Sequence, residues 1–155
     1  MKTLFFHNTP LGKLGIAEQQ GFITDVYFAN DTLPDEFELL EAPLIKEAFT
    51  QLDAYFAGGL KNFSLPLKPQ GTDFMRMVWQ TLCTVPYGTT ASYKDIAQTI
   101  GNPKAMRAVG LANNKNPIAI FIPCHRIIGS NGKLIGYSAG LPIKEFLLAL
   151  EQRNA

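Results

Sequence analysis

The sequence predicts an α+β protein in two parts: an N-terminal α+β domain with a small β-sheet and linker (1–71), then a mainly helical C-terminal domain with a helix-turn-helix (72–155). Three observations predict it. Short aromatic and β-branched runs fill residues 3–28, apolar residues at helical spacing dominate after residue 72, and proline punctuates residues 63–71 between them.

Taken in order, Thr3-Leu4-Phe5-Phe6, Leu14-Gly15-Ile16-Ala17 and Phe22-Ile23-Thr24-Asp25-Val26-Tyr27-Phe28 read as strands separated by glycine and polar turns. From Pro43 to Phe56 the spacing of Leu44, Ala48, Leu52 and Phe56 predicts a helix stopped by Gly58-Gly59. Residues 63–71 cannot continue a helix and read as the connection to the second domain. Thr72 then caps a helix carrying Phe74, Met77, Val78 and Leu82, with Trp79 a core residue beside that stripe. Ser92 and Asp95 form a capping box for a short helix with Tyr93, Ile96, Ala97 and Ile100, stopped by Gly101. A second helix follows, with Asn102 as cap, Pro103 at the first helical position, and Met106, Val109 and Ala112 for packing as far as Asn113. Helix, tight turn and helix make a helix-turn-helix pattern. Beyond it lie an extended apolar run into Cys124, two glycine-rich turns, and a last helix from Pro142 to about Gln152 with Ile143, Phe146, Leu147 and Leu150 on its apolar face.

Composition narrows the class. With 155 residues and 46% hydrophobic content the chain can bury a substantial core. It shows neither a signal-peptide core nor an apolar run of transmembrane length, so a soluble, cytoplasmic protein is expected. Cys83 and Cys124 are too few for a disulfide framework, and with His7 and His125 they lack the close ligand pairing of a structural zinc site. The charge is uneven: five basic against nine acidic residues up to Gly71 give −4, and nine basic against four acidic residues beyond it give +5. A basic C-terminal half suits a polyanionic partner.

The chemistry concentrates in Pro123-Cys124-His125-Arg126, where a thiol stands beside an imidazole and a guanidinium. Those neighbours are the ingredients of a lowered thiol pKa and hence of a nucleophile. A free cysteine is also a common small buried hydrophobe, and the tetrapeptide alone leaves both readings open.

Several spaced segments agree, in order, with one family. They are Val85-Pro86-Tyr87-Gly88, Ser92-Tyr93, Gly101-Asn102-Pro103-Lys104-Ala105-Met106-Arg107-Ala108-Val109-Gly110, Asn116-Pro117, Ile122-Pro123-Cys124-His125-Arg126, Gly136-Tyr137-Ser138 and Lys144-Glu145-Phe146-Leu147-Leu148. Residues 72–151 thereby resemble the O6-alkylguanine-DNA alkyltransferases, which repair DNA by moving an alkyl group from damaged guanine onto their own cysteine. The N-terminal half fits only in size and in phrases such as Thr9-Pro10-Leu11-Gly12 and Asp53-Ala54-Tyr55-Phe56.

The resemblance implies a single-turnover methyltransferase that needs no cofactor and no metal. It would act as a monomer on double-stranded DNA containing O6-alkylguanine, with O4-alkylthymine a second substrate, and without a membrane. Cys124 would be the nucleophile and alkyl acceptor, His125 the general base acting through a water, and Glu151 the carboxylate that fixes the imidazole and favours its protonated form. Tyr93 would give a proton to the departing guanine. Arg107 would be the finger that enters the stack when the base is flipped out, with Ala105 and Ala108 permitting close approach and Arg126 also contacting DNA. Asn116 would be the hinge between the helix pair and the active-site strand. Tyr137 and Ser138 would line the substrate pocket, with the backbone carbonyls of Cys124 and Ile127 accepting from the guanine amine. The chain departs from the family at Ala139, where glycine is frequent, at Phe146, where tryptophan is common, and at Leu150, where many relatives have histidine. Two rivals from other classes are a non-catalytic sensor that binds alkylated DNA and recruits repair factors, which Cys124 argues against, and a thiol hydrolase, which DNA-independent ester turnover would reveal.

Overall fold

Leu4, Leu14, Ile16 and Ala17 are completely buried, and they lie on the two strands that begin the structure, a computed structural model describing residues 1–155. Strands β1 (Lys2–Thr9) and β2 (Gly12–Gln19) pair antiparallel from Thr3 opposite Glu18 to Thr9 opposite Gly12. The Thr9 hydroxyl accepts from the Leu11 N–H and closes their two-residue turn. Strand β3 (Phe22–Tyr27) adds to β2, and the short β4 (Phe37–Leu39) adds parallel to β1, giving the order β3-β2-β1-β4. β4 is absent from the sequence expectation because its three residues sit among Asp35, Glu36, Glu38 and Glu41 and two of them are exposed.

Helix α1 (Pro43–Phe56) covers this sheet with Ile45, Ala48, Phe49, Leu52 and Tyr55, a stripe rotated from the expected one so that Ile45 and Tyr55 replace Leu44 and Phe56. The segment expected to be only a connection takes part in the sheet unit. Ile23 donates its N–H to Pro66 O at 2.8 Å, and its carbonyl accepts from Lys68 N at 2.9 Å, so the chain runs along the free edge of β3. The chain divides into two compact units, Met1–Pro69 and Gln70–Ala155.

In the second unit α2 (Asp73–Leu82) begins where the Thr72 side chain accepts from the Met75 N–H, and it buries Val78, Trp79 and Leu82. The Trp79 indole donates to Ala112 O at 2.8 Å, joining α2 to α4 (Met106–Asn114) through a bond worth about 1 kcal/mol. The Ser92–Asp95 capping box is fully formed at the start of α3 (Tyr93–Thr99), and Gly101, at φ +80°, ends the turn after it. The second helix of the pair starts later than expected. Residues 102–105 form a turn in which Ala105 N bonds Asn102 O, and Ala105 rather than Asn102 occupies the cap position.

The apolar run before Cys124 is not a strand. It folds as a tight turn in which Ile122 N bonds Ile118 O and Ile120 takes φ +75°, a strained value for a β-branched side chain held there by nearly complete burial. A single 3-10 turn (Cys124–Arg126) follows, then β6 (Ile127–Ile128), which pairs parallel with β5 (Ala91–Ser92) and so anchors the turn beside the start of α3. Helix α5 (Leu141–Asn154) closes the unit. Its buried face is Lys144, Leu147, Leu148, Leu150 and Glu151, whereas Phe146, expected to face inward, is 37% exposed. No helix is long and apolar enough to cross a membrane.

Candidate active site

Lys144 and Glu151 stand seven residues apart on α5, two helical turns, so both project toward the Cys124–Arg126 turn from one face of the helix. Glu151 is 0% exposed and gathers three partners: His125 Nε2 at 2.7 Å, both Nε (2.8 Å) and Nη2 (3.0 Å) of Arg126, and the backbone N–H of Gly88 at 3.1 Å. Gly88 can present that N–H because it sits at φ +77°, and a Cβ there would come within 2.8 Å of Ala155.

This geometry corrects the expectation for Arg126. Its side chain is buried, forked onto Glu151, and its Nη1 donates to Val85 O at 2.7 Å, so all three of its nitrogens bond inside the fold and it is not a surface group. Burial pushes the His125 pKa below the ordinary imidazole value, against the upward pull of Glu151. The histidine is therefore neutral. With Nε2–H donating to Glu151, the basic nitrogen is Nδ1, which is buried and has no hydrogen-bond partner in the protein.

Cys124 is 4% exposed, and its pKa is pushed up to about 11 by burial, opposite to the lowering expected from its neighbours in sequence. The groups that oppose burial are Asn116, Lys144 and Tyr137; Arg126, engaged with Glu151, is not among them. Lys144 is the cation that the sequence reading missed. It is completely buried, and its Nζ donates to Ile127 O at 2.5 Å and Ile135 O at 3.0 Å. A lysine in a helix with an apolar stripe looks like a surface group; its place two turns from Glu151 was the available signal.

Asn116 is buried, donates from Nδ2 to Ile122 O at 2.8 Å and accepts from Ile118 N at 3.0 Å, so it pins both ends of the turn that leads to Cys124. Asn113, also missed, donates to Cys124 O at 3.3 Å. Thus the two carbonyls expected to meet guanine already accept from the protein, Cys124 O from Asn113 and Ile127 O from Lys144.

A cavity of about 750 Å³ is lined by Tyr93, Met106, Arg107, Leu111, Ile135 and Gly136 among others; Cys124, His125, Tyr137 and Ser138 are not on its wall. Tyr93 lines the cavity, and its pKa is raised by burial and by the charge of the Cys124 thiolate, which keeps the phenol protonated. In this structure the hydroxyl donates to Ile135 O at 2.9 Å. Arg107 and Ala108 are exposed on α4, Ala105 is half-buried at its cap, Tyr137 is buried and Ser138 is exposed. The structure therefore brings Cys124, His125, Glu151, Asn116, Tyr137 and Tyr93 together, places Arg107 on the cavity wall, and removes Arg126 from the surface.

Residues 2–69 match the family described as 6-O-methylguanine DNA methyltransferase, ribonuclease-like domain, and residues 73–153 match its DNA binding domain. A methylated-DNA--protein-cysteine methyltransferase of Methanosarcina acetivorans is 52% identical over 147 residues, 92% of this chain and 94% of the relative. The constitutive enzyme of that name from Bacillus subtilis is 48% identical over 93% of this chain and 92% of its own. Among solved structures, Mycobacterium tuberculosis OGT in complex with DNA superposes with a TM-score of 0.93 at 44% identity, covering 99% of this chain and 94% of that one.

Proposed function

The chain belongs to the 6-O-methylguanine DNA methyltransferase family, whose activity is direct-reversal repair by alkyl transfer to cysteine, and on that premise we propose that Cys124 is the acceptor. One observation carries the assignment: Cys124 precedes a buried, neutral histidine whose Nε2–H is held by Glu151 and whose basic Nδ1 is unpartnered. Cys83, the other cysteine, is exposed.

In the proposed reaction His125 Nδ1 takes the thiol proton through a water, the thiolate attacks the alkyl carbon at guanine O6, and the C–O bond breaks as the S–C bond forms. The electron pair leaves with guanine, which takes a proton from Tyr93 in place of the one Cys124 lost. For this the Tyr93 hydroxyl turns from Ile135 O toward the base. The thioether is stable, so each molecule reacts once and no cofactor takes part. Glu151 sets the tautomer of His125, and Asn116 with Asn113 holds the turn that aims the sulfur.

The partner is DNA, in double-stranded form with O6-alkylguanine or O4-alkylthymine. A base inside the stack cannot reach the sulfur of a residue that is only 4% exposed, so the nucleotide is flipped out at a cost of about a few kcal/mol. Arg107, exposed on α4 at the cavity wall, would fill the gap, with Ala105 and Ala108 permitting close approach. Tyr137, Ser138 and Ile127 are proposed to border the flipped base on the strength of the family resemblance. The protein acts as a monomer, and its unpaired cysteines suit the reducing cytoplasm. Incubation with duplex DNA containing O6-methylguanine should add one methyl mass to the Cys124 peptide and none to the Cys83 peptide. A methylated Cys83, or an unmodified protein under native conditions, would overturn the assignment.

A further inference from the structure

The proton path proposed above runs from Cys124 to His125 Nδ1 through a water, and a single acceptor does not orient a water. Asn113 supplies a second one. It lies at the C-terminal end of α4, is 2% exposed, and donates from Nδ2 to Cys124 O at 3.3 Å. A carbonyl oxygen only accepts, so this bond fixes which end of the amide faces it, and Oδ1 is the other end. That oxygen is buried and has no hydrogen-bond partner in the protein. A buried amide oxygen is costly to leave unpaired, and an ordered water is the ordinary partner where the fold supplies none.

We propose that Asn113 is a positioning residue for the alkyl transfer: its Oδ1 and His125 Nδ1 together hold the water that carries the Cys124 proton. Three observations converge on it. Asn113 Oδ1 and His125 Nδ1 are both acceptors, both buried and both without a partner in the protein. Each belongs to a side chain tied to the cysteine, His125 by the peptide bond and Asn113 by its bond to Cys124 O; the two ends of one amide are about 2.3 Å apart, so Oδ1 stays beside that residue. And Glu151 on α5 takes His125 Nε2, which leaves Nδ1 for a group from another element, while Asn113 comes from α4.

Two acceptors decide how the water stands. Donating one proton to Asn113 Oδ1 and the other to His125 Nδ1, it keeps its lone pairs for the Cys124 S–H. The thiol proton passes to the water as the water's own proton passes to Nδ1, so the water is regenerated and the charges end as thiolate and imidazolium. The bond to Oδ1 persists throughout. Asn113 neither gives nor takes a proton; it removes the orientations in which the water would donate toward the sulfur before the thiol has ionised.

The idea rests on the assignment of Cys124 as acceptor, so its first test reads the water without DNA. A crystal structure of the unsubstituted full-length protein should show one ordered water within about 3.2 Å of both Asn113 Oδ1 and His125 Nδ1. Two waters that each meet only one of these atoms, or no water at either, would overturn the proposal whatever the protein does to DNA. The second test is the pH profile of single-turnover methyl transfer from duplex DNA containing O6-methylguanine. Asn113→Leu should lose about a hundredfold in rate near pH 7.5, the low end of what a positioned proton acceptor contributes, and recover it as pH rises and hydroxide takes the thiol proton. A loss equal at every pH would leave Asn113 only its bond to Cys124 O and overturn the proposal. Should Asn113→Leu fail to fold, the water in the unsubstituted protein decides. A protein that holds the water but transfers no methyl group would instead sink the Cys124 assignment.

Discussion

The two units treat charge in opposite ways. In the N-terminal unit the only buried polar residue is Thr24, and the ion pairs, Lys2 with Asp25 and His7 with Glu41, keep between 17% and 38% of their side chains exposed. In the C-terminal unit Asn113, Asn116, His125, Arg126, Lys144 and Glu151 are all buried. An exposed pair adds at most about 1 kcal/mol, whereas a charge network in the interior is costly to desolvate and stable only while every member is partnered. The first unit thus rests mainly on apolar packing, and the second carries a polar interior gathered around the Cys124–Arg126 turn.

The sharpest way to break this contrast is Glu151→Ala. It strips His125 and Arg126 of their carboxylate at once, and it should destabilise the protein by about 3–5 kcal/mol in urea titrations and abolish methyl transfer. A loss under about 1 kcal/mol would show the network to be no more than a surface-like pair.

Next in size is an acid limb. The His125 pKa is lowered in the folded state, so its stability contribution is fully present above the unfolded value of 6.5 and is lost as pH falls through the folded value. Stability should decline below about pH 6.5 with a slope of up to about 1.4 kcal/mol per pH unit, and His125→Gln should flatten that slope. An unchanged slope in the variant would assign the limb to other groups.

The smallest effect is expected at Lys2→Met, which removes the Lys2–Asp25 bond of 2.6 Å at a cost of at most about 1 kcal/mol and leaves the methyl-transfer rate unchanged. A larger loss would mean that the first unit, too, depends on charge.

Much of the local structure was legible in the residues. The Ser92–Asp95 box, the Thr72 cap and the Pro43 start each solve a helix-end problem within a few residues, so they read correctly without the fold. Reading failed where distant groups decide. Asn102 and Pro103 look like a helix start, but the chain makes one more turn first. The run from Ile118 to Ile122 looks like a strand because its residues are apolar and β-branched, yet Asn116 bonds to both ends fold it into a turn. Phe146, expected to face inward, is partly exposed, and Lys144 is buried in its stead, since the carbonyls of Ile127 and Ile135 make an interior site for an ammonium.

By itself the sequence determined the two-part α+β plan, the helix pair and the family, because caps, periodicities and spaced motifs are local or linear properties. Only the tertiary structure decided the electrostatics. Arg126 adjoins the Cys124-His125 pair in the chain yet spends its charge on Glu151, while Lys144, 20 positions beyond the cysteine, is buried with its Nζ on the carbonyls of Ile127 and Ile135. The reason is physical: the sign and size of a pKa shift depend on burial and on which charges remain unpaired at close range, and neither quantity exists until the helix carrying Lys144 and Glu151 has packed against the turn carrying Cys124.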